Sequence, residues 1–461
     1  MLIDRYDSLN LFERIPSLGM QMDPVLAQLD RLLDHDEIFQ AVKADLAKRY
    51  PQTLTVGRHS TPVEVILRML VIKHLYGWRF EETEHVVADS LVLRQTCRIY
   101  AEHVPDDTTL IRWATLIQPT TLQTLLDHVP ALARQLKVTN GRKLRIDGTV
   151  VETNIHHPSD STLLNDGVRV LSRVMRKARR VAADGVAWSQ EQLEEAATQA
   201  KAGMKRIMDV ARQKGEPAAD ALKNASQDLV QLTETVVDQA RQTATTLTTT
   251  TNAVAQRCAD RLEELVPRVE QVIQQTTRRV FQGESVPVPE KILSVFEPHT
   301  AILCKGKPGK PVEFGRMLWL DAGEGGIITR YQILDGNPDE AAQVVPSVDA
   351  HIARFGHPPD LVAGDRGLQS AANARDLAKR KVKQIVLPKP GKKSAKRLAH
   401  ERQDWFIAGH NWRAGIEGRI SGLKRRHQLN RCRYHGDAGM HRWVGFGLLA
   451  HDLRMIARAT T

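Results

Sequence analysis

Leu144-Arg145-Ile146-Asp147-Gly148-Thr149-Val150-Val151-Glu152 sets an acid inside a run of apolar and β-branched residues, the composition of a short strand. A second stretch repeats the arrangement: Asp360-Leu361-Val362-Ala363-Gly364-Asp365-Arg366-Gly367 reads as a strand ending in Asp365, with Gly364 and Gly367 allowing a tight exit. A third acid stands in His410-Asn-Trp-Arg413-Ala-Gly-Ile-Glu417-Gly-Arg-Ile-Ser-Gly-Leu-Lys424-Arg425-Arg426. Arg413, Glu417 and Lys424 are spaced four and seven apart, so a helix projects all three from one face. An acid between two permanent cations suits a site that holds a divalent metal and grips a phosphodiester. Taken singly, Asp147 or Asp365 also reads as a turn-capping carboxylate, and Glu417 as a surface ion pair with Arg413. Taken together they form a candidate triad. Three converging carboxylates repel one another unless cations neutralise them, and Mg2+ suits such a set because it takes a few carboxylate oxygens and keeps positions for water and phosphate.

Composition points to a polyanion. The 461 residues carry a formal charge of +11 and a pI near 9.5, too basic for a typical metabolic enzyme. No stretch is apolar and long enough to span a bilayer, and Met1-Leu2-Ile3-Asp4-Arg5-Tyr6-Asp7 lacks the order of a signal peptide. Cys97, Cys258, Cys304 and Cys432 form no Cys-x-x-Cys pair, which argues against a disulfide framework or a thiolate zinc site and fits a reducing cytosol.

Arg413-x3-Glu417-x6-Lys424, the Asp147 stretch continuing through Thr153-Asn154-Ile155 to His157-Pro-Ser-Asp-Ser161, and Ala363-Gly-Asp365-Arg-Gly367 together resemble the DDE transposases of bacterial insertion sequences, in the group known as ISNCY. The likeness runs over most of the chain, to the Trp443-Val-Gly-Phe-Gly-Leu-Leu-Ala-His-Asp-Leu453 segment, and is weakest in the long middle helices. Two residues depart from the family: His410 stands where a Tyr is frequent, and Asp452 where Asn is common.

The organisation follows from periodicity. Residues 1–135 read as helical, with an amphipathic helix beginning at Pro62 and closed by Gly77-Trp78, another from about Phe80, and an N-cap at Pro105-Asp-Asp before a third. That spacing fits either a helix-turn-helix DNA reader or an ordinary helical bundle, and the resemblance favours the former. Residues 139–160 and 298–461 read as one α/β catalytic domain. Its parts are the Asp147 strand, a hairpin turning at Asp321-Ala-Gly-Glu-Gly-Gly326, a helix from Pro338 to about Phe355, the Asp365 strand, a helix from Ser370, a strand at Lys383-Gln-Ile-Val-Leu-Pro388, and the Glu417 helix. This order matches a ribonuclease-H-like mixed sheet, in which parallel neighbours bring the first two acids side by side. Residues 161–297 interrupt it as a coiled-coil-like helical insertion, with one long helix sustained from Val237 to Val272, a kink at Pro267, breaks at Gly185 and Gly215, and Gly283 near the return. The insertion reads as a solvated arm, a subunit contact or a clamp on DNA.

The resemblance implies an enzyme that cleaves at the ends of an insertion sequence and joins them to target DNA by two-metal phosphoryl transfer. Asp147, Asp365 and Glu417 are then the catalytic and metal-binding residues, holding two Mg2+ ions for which Mn2+ can substitute. His410, Arg413, Lys424, Arg425 and Arg426 are expected to bind DNA, with Arg431, Arg433 and a loop at Lys389-Pro-Gly-Lys-Lys-Ser-Ala-Lys-Arg397 extending the cationic surface. Glu152, Asp160 and Asp166 compete for the first ligand position but are placed beyond the strand, and His156-His157 reads as a loop pair. The expected partners are the element ends and target duplex, with a dimer or higher oligomer on DNA and no membrane, in a bacterial cytoplasm at the nucleoid. The alternatives are an inactive DNA-binding regulator derived from a transposase and a metal-dependent nuclease of the same fold.

Overall fold

A computed structural model describes residues 1–6, 22–213, 216–304 and 311–461; Asp7 of the opening segment and the break expected at Gly215 lie outside them. The chain divides into two compact units, Met1–Asn154 with Leu303–Thr461, and Ile155–Ile302.

The first unit opens with an all-α region: α1 (Pro24–Leu32), α2 (Asp36–Leu46), α3 (Val63–Tyr76), α4 (Phe80–Asp89), α5 (Leu91–Thr96), α6 (Asp107–Ala114) and α7 (Pro119–Gln135). Asp106 caps α6 by accepting from the Thr109 N–H at 2.6 Å. The Pro62 helix differs from the amphipathic reading. Every residue of α3 from Val63 to Leu75 is buried, because other elements of the unit enclose it on all sides. Two of its polar members pair with each other and with neighbours: Arg68, with no exposed surface, reaches Asp30 at 2.6 Å, Glu64 at 3.2 Å and the Thr96 carbonyl at 3.0 Å. Gly77, at φ 73°, closes the helix in the left-handed conformation that a glycine adopts without penalty.

A mixed sheet with interspersed helices follows, a ribonuclease-H-like arrangement. Six strands are β1 (Lys143–Glu152), β2 (Ala301–Leu303), β3 (Glu313–Ala322), β4 (Ile328–Leu334), β5 (Leu361–Ala363) and β6 (Gln384–Val386). β1 runs antiparallel to β3 from Arg145↔Ala322 to Glu152↔Gly315, and β3 antiparallel to β4. On its other side β1 is parallel to β5, with Arg145 opposite Ala363, and β5 is parallel to β6.

The second unit holds α8 (Asp160–Val181), α9 (Gln190–Val210), α10 (Glu216–Leu247) and α11 (Ala253–Val280), packed around Leu171, Val236, Ala240, Leu262 and Val269. The single helix expected from Val237 to Val272 is therefore two helices. The reversal falls in the second half of the Thr-rich run, after Leu247, where helix propensity is poor and Asn252 offers a better alternative by capping the Val254 and Ala255 N–H groups. Pro267 lies inside α11, and Gly283, at φ 69°, follows its end.

Back in the first unit come α12 (Val344–Phe355), α13 (Ala371–Lys379), α14 (Ala395–Glu401), α15 (Asp404–Arg426) and α16 (Gly436–Ala459). α15 packs on β1, β5 and β6, while α16 packs on α1, α3 and α7 through an apolar face including Trp443, Phe446 and Leu449. Three expectations change. Asp321 is inside β3, buried and bonded to Ser347 at 2.7 Å, so the turn begins later. Glu152 is the last residue of β1, not beyond it, and pairs with Arg431 at 2.8 Å. Part of the Lys389–Arg397 loop is helical: burial alone would raise the Glu401 pKa, but the Lys389 N–H, Lys393 and Arg397 hold it down to about 2, so two of those cations already face an acid.

Asp452, where the family commonly has Asn, lies on α16 with no exposed surface; its Oδ1 accepts from the Ile328 N–H at 2.9 Å and its Oδ2 has no partner among the described residues. Burial raises its pKa well above the usual carboxyl range, against the hydrogen bond from Ile328 and the charge of Arg354. Because the folded value is raised, the associated stability is present below the unfolded pKa and is lost as pH rises toward the folded one, by about 1.4 kcal/mol per unit. Asp452→Asn is expected to remove that slope and so to stabilise the protein at pH 7. Denaturant titrations of both proteins from pH 5 to 8 check this, and equal slopes would contradict it.

Candidate active site

The first two acids meet through strand register. Arg145 faces Ala363 across the parallel β1–β5 pair, so Asp147 and Asp365 each stand two residues further along neighbouring strands. Asp147 is mid-strand and largely buried, its Oδ1 accepting from the Gly148 N–H at 2.8 Å. Asp365 lies just past β5, where it accepts from the Arg366 N–H at 2.7 Å and is more than half exposed.

The third acid arrives on α15. Arg413 lies one turn before Glu417, and its guanidinium touches all three carboxylates: Nη2 is 3.3 Å from Asp147 Oδ2 and 3.8 Å from Asp365 Oδ1, while Nη1 is 2.9 Å from Glu417 Oε1. Residues 266 and 4 apart in sequence from Arg413 thus share one cation. The Arg413 side chain is only 13% exposed, against 64% for Glu417, and its Nε is buried without a partner. The guanidinium supplies the countercharge that three gathered carboxylates require. Accordingly, among the described residues no three His, Cys, Asp or Glu side chains form a ready cation site. The donor chemistry, three carboxylates on separate elements with two of them open to solvent, fits a hard oxygen-seeking ion such as Mg2+, provided Arg413 shifts from between them.

Two positioning residues escaped the sequence reading. Arg145, on β1, donates to the Trp412 carbonyl at 3.0 Å and stacks over the Trp412 ring at 4.7 Å, which pins α15 against the sheet one residue before Arg413. A side chain at Gly415 would collide with the same guanidinium. Burial, then the neighbouring Arg419, lowers the Arg145 pKa to about 10, with Glu324 opposing. The only signal in the sequence was a cation within an apolar strand.

His410 and Lys424 share the Arg413–Glu417 face by helical spacing, and His410 is exposed. Arg425 and Arg426 do not continue that stripe; they line a separate groove between α15 and α16. Of the competing acids, Asp160 pairs with Arg279 at 3.0 Å, and Asp166 pairs with Arg169 at 2.8 Å and His156 at 3.4 Å, all within the helical insertion.

Residues 16–116 match the family described as Transposase domain (DUF772), and residues 322–453 match that described as Transposase DDE domain. No curated protein and no solved structure matches the chain. A DDE-type transposase domain family is therefore present in this protein. The DDE match includes Asp365, Arg413, Glu417 and Lys424 but begins after Asp147, which reaches Arg413 through the fold. No helix among the described residues is long and apolar enough to cross a membrane.

Proposed function

We propose that the protein is an insertion-sequence transposase of the ISNCY-like group, which cleaves at the element's ends and joins them to target DNA. The observation that carries this reading is the meeting of Asp147, Asp365 and Glu417 at one guanidinium. In this reading the three carboxylates hold two Mg2+ ions, which when bound supply activation of water or a 3′-hydroxyl and stabilisation of the leaving oxygen. Arg413 then turns from the carboxylates to the phosphate beside the scissile bond, offering a planar two-point contact, and Lys424 adds a point charge on the same helix face. His410 supports the phosphate through imidazole. The α1–α7 region binds element ends, and a dimer holds two ends together in the bacterial cytoplasm.

The test first searches the DNA on either side of the coding region for short inverted repeats and then uses duplexes that carry them. Incubation with Mg2+ should release a strand at the repeat boundary and yield joined product on a second duplex; both should vanish in EDTA and return with Mn2+. Cleavage without joining would favour a nuclease, and binding without cleavage a regulator. Duplex affinity is expected to fall steeply with salt, as contacts to phosphates release counterions. A flat response would contradict the phosphate contacts.

A further inference from the structure

α15 contains glycines at 409, 415, 418 and 422, an unusual load for a helix interior, where each costs about 0.5 to 1 kcal/mol relative to Ala. Two are explained by packing. A Cβ at Gly409 would meet Val386 at 2.6 Å, and one at Gly415 would strike Arg145. At Gly418 and Gly422 a Cβ would meet nothing within 4 Å, so internal packing gives no reason for either.

Both bare positions line the groove between α15 and α16, a cavity of about 520 Å³. Its other walls include Arg419, Arg425, Arg426, Arg454 and Arg458, and no acid lines it among the described residues. Arg425, Arg426, Arg454 and Arg458 make no ion pair among the described residues, and Arg419 Nε is buried without a partner. Burial, then Arg426 and Arg458, lower the Arg454 pKa, against the weaker pull of Tyr76 and Asp23. His427 and His451, also in the wall, are held neutral by burial. Repelling cations gathered around an open helix surface leave a folded protein strained until an anion enters. At about 100° per residue, these groove residues lie roughly 150° around α15 from His410, Arg413, Glu417 and Lys424.

We infer that the α15–α16 groove is a second phosphodiester-binding site, turned away from the proposed cleavage face, that holds a separate stretch of duplex DNA. The arginines clamp phosphate oxygens through their planar forks, and the bare surface at Gly418 and Gly422 lets a sugar-phosphate backbone approach the helix closely. This rests on the reading of the protein as a DNA-acting enzyme, but its test is separable.

The full-length protein is titrated at low salt with a duplex of about 12 base pairs, short enough that one molecule fills one site. Two duplexes per protomer are expected for the wild type. Arg454→Gln/Arg458→Gln should bind one and lose about two contacts' worth of salt dependence, a slope change near 1.8. Gly422→Leu, which fills the groove without changing charge and favours the helix, should also bind one. Cleavage at the element end on a saturating single duplex should be unchanged in both. Unaltered stoichiometry and salt slope in the two variants would overturn the site. A wild type that holds two duplexes and cuts neither would leave the groove standing and sink the catalytic reading instead.

Discussion

Asp147→Asn is expected to slow strand cleavage by at least about 10³-fold, roughly 4 kcal/mol of transition-state stabilisation, while binding of element ends stays within about threefold of wild type. Asp147 is the most enclosed of the three acids, with side-chain exposure of 15% against 59% for Asp365 and 64% for Glu417, and its neighbours fix it on a strand bonded on both sides. An amide there keeps the shape and the oxygen that accepts from the Gly148 N–H, but removes the charge a metal needs. Glu417→Gln should behave alike. Cleavage rates measured with Mg2+ decide the matter, alongside binding measured in EDTA; a variant that cuts at the wild-type rate would remove Asp147 from the chemistry.

Arg413→Ala should act on stability and on rate in different ways. Without the guanidinium the three carboxylates face one another unneutralised, so the protein is expected to lose about 2 kcal/mol in EDTA, discounted for the exposure of Glu417 and Asp365. Millimolar Mg2+ should restore much of this, since an ion that binds only the folded state stabilises it by mass action. Cleavage should nevertheless remain about 100-fold down, because the contact to phosphate is gone. Thermal melts of wild type and variant with and without Mg2+ read the first effect, and saturating-substrate rates the second. A variant as stable as wild type in EDTA and indifferent to Mg2+ would show that the carboxylates need no shared cation.

The acids were readable in the sequence because each carries a local sign: an acid within a β-branched run at Asp147, glycines around Asp365, and the four-and-seven spacing around Glu417. The order of strands and helices could be read for the same reason. What brings the acids to one point could not, since Arg145 reaches the Trp412 carbonyl across 267 residues and neither residue announces the other. The all-round burial of α3 was hidden too. Its Glu64 and Arg68, one turn apart, look like part of a solvent face until the partners from α1 and the Thr96 carbonyl are known. At the Thr-rich run the apolar spacing continued through a reversal, because both helices use the same side of the pattern to face one core. The likeness to transposases indicated DNA, but the run Lys424-Arg425-Arg426 did not announce that its arginines line a different groove from the Arg413–Glu417 stripe.

α16 has a consequence for the life of the protein. Its 24 residues cover apolar surfaces of α1, α3 and α7, helices that leave the ribosome some 300 residues earlier. Until Gly436–Ala459 is made, the apolar faces of α1, α3 and α7 that it covers, Leu122 among them, lack a lid, and a product cut short before it would expose them to proteases and aggregation. Premature stops before Gly436 should therefore silence the gene cleanly instead of yielding a fragment that competes with the intact protein.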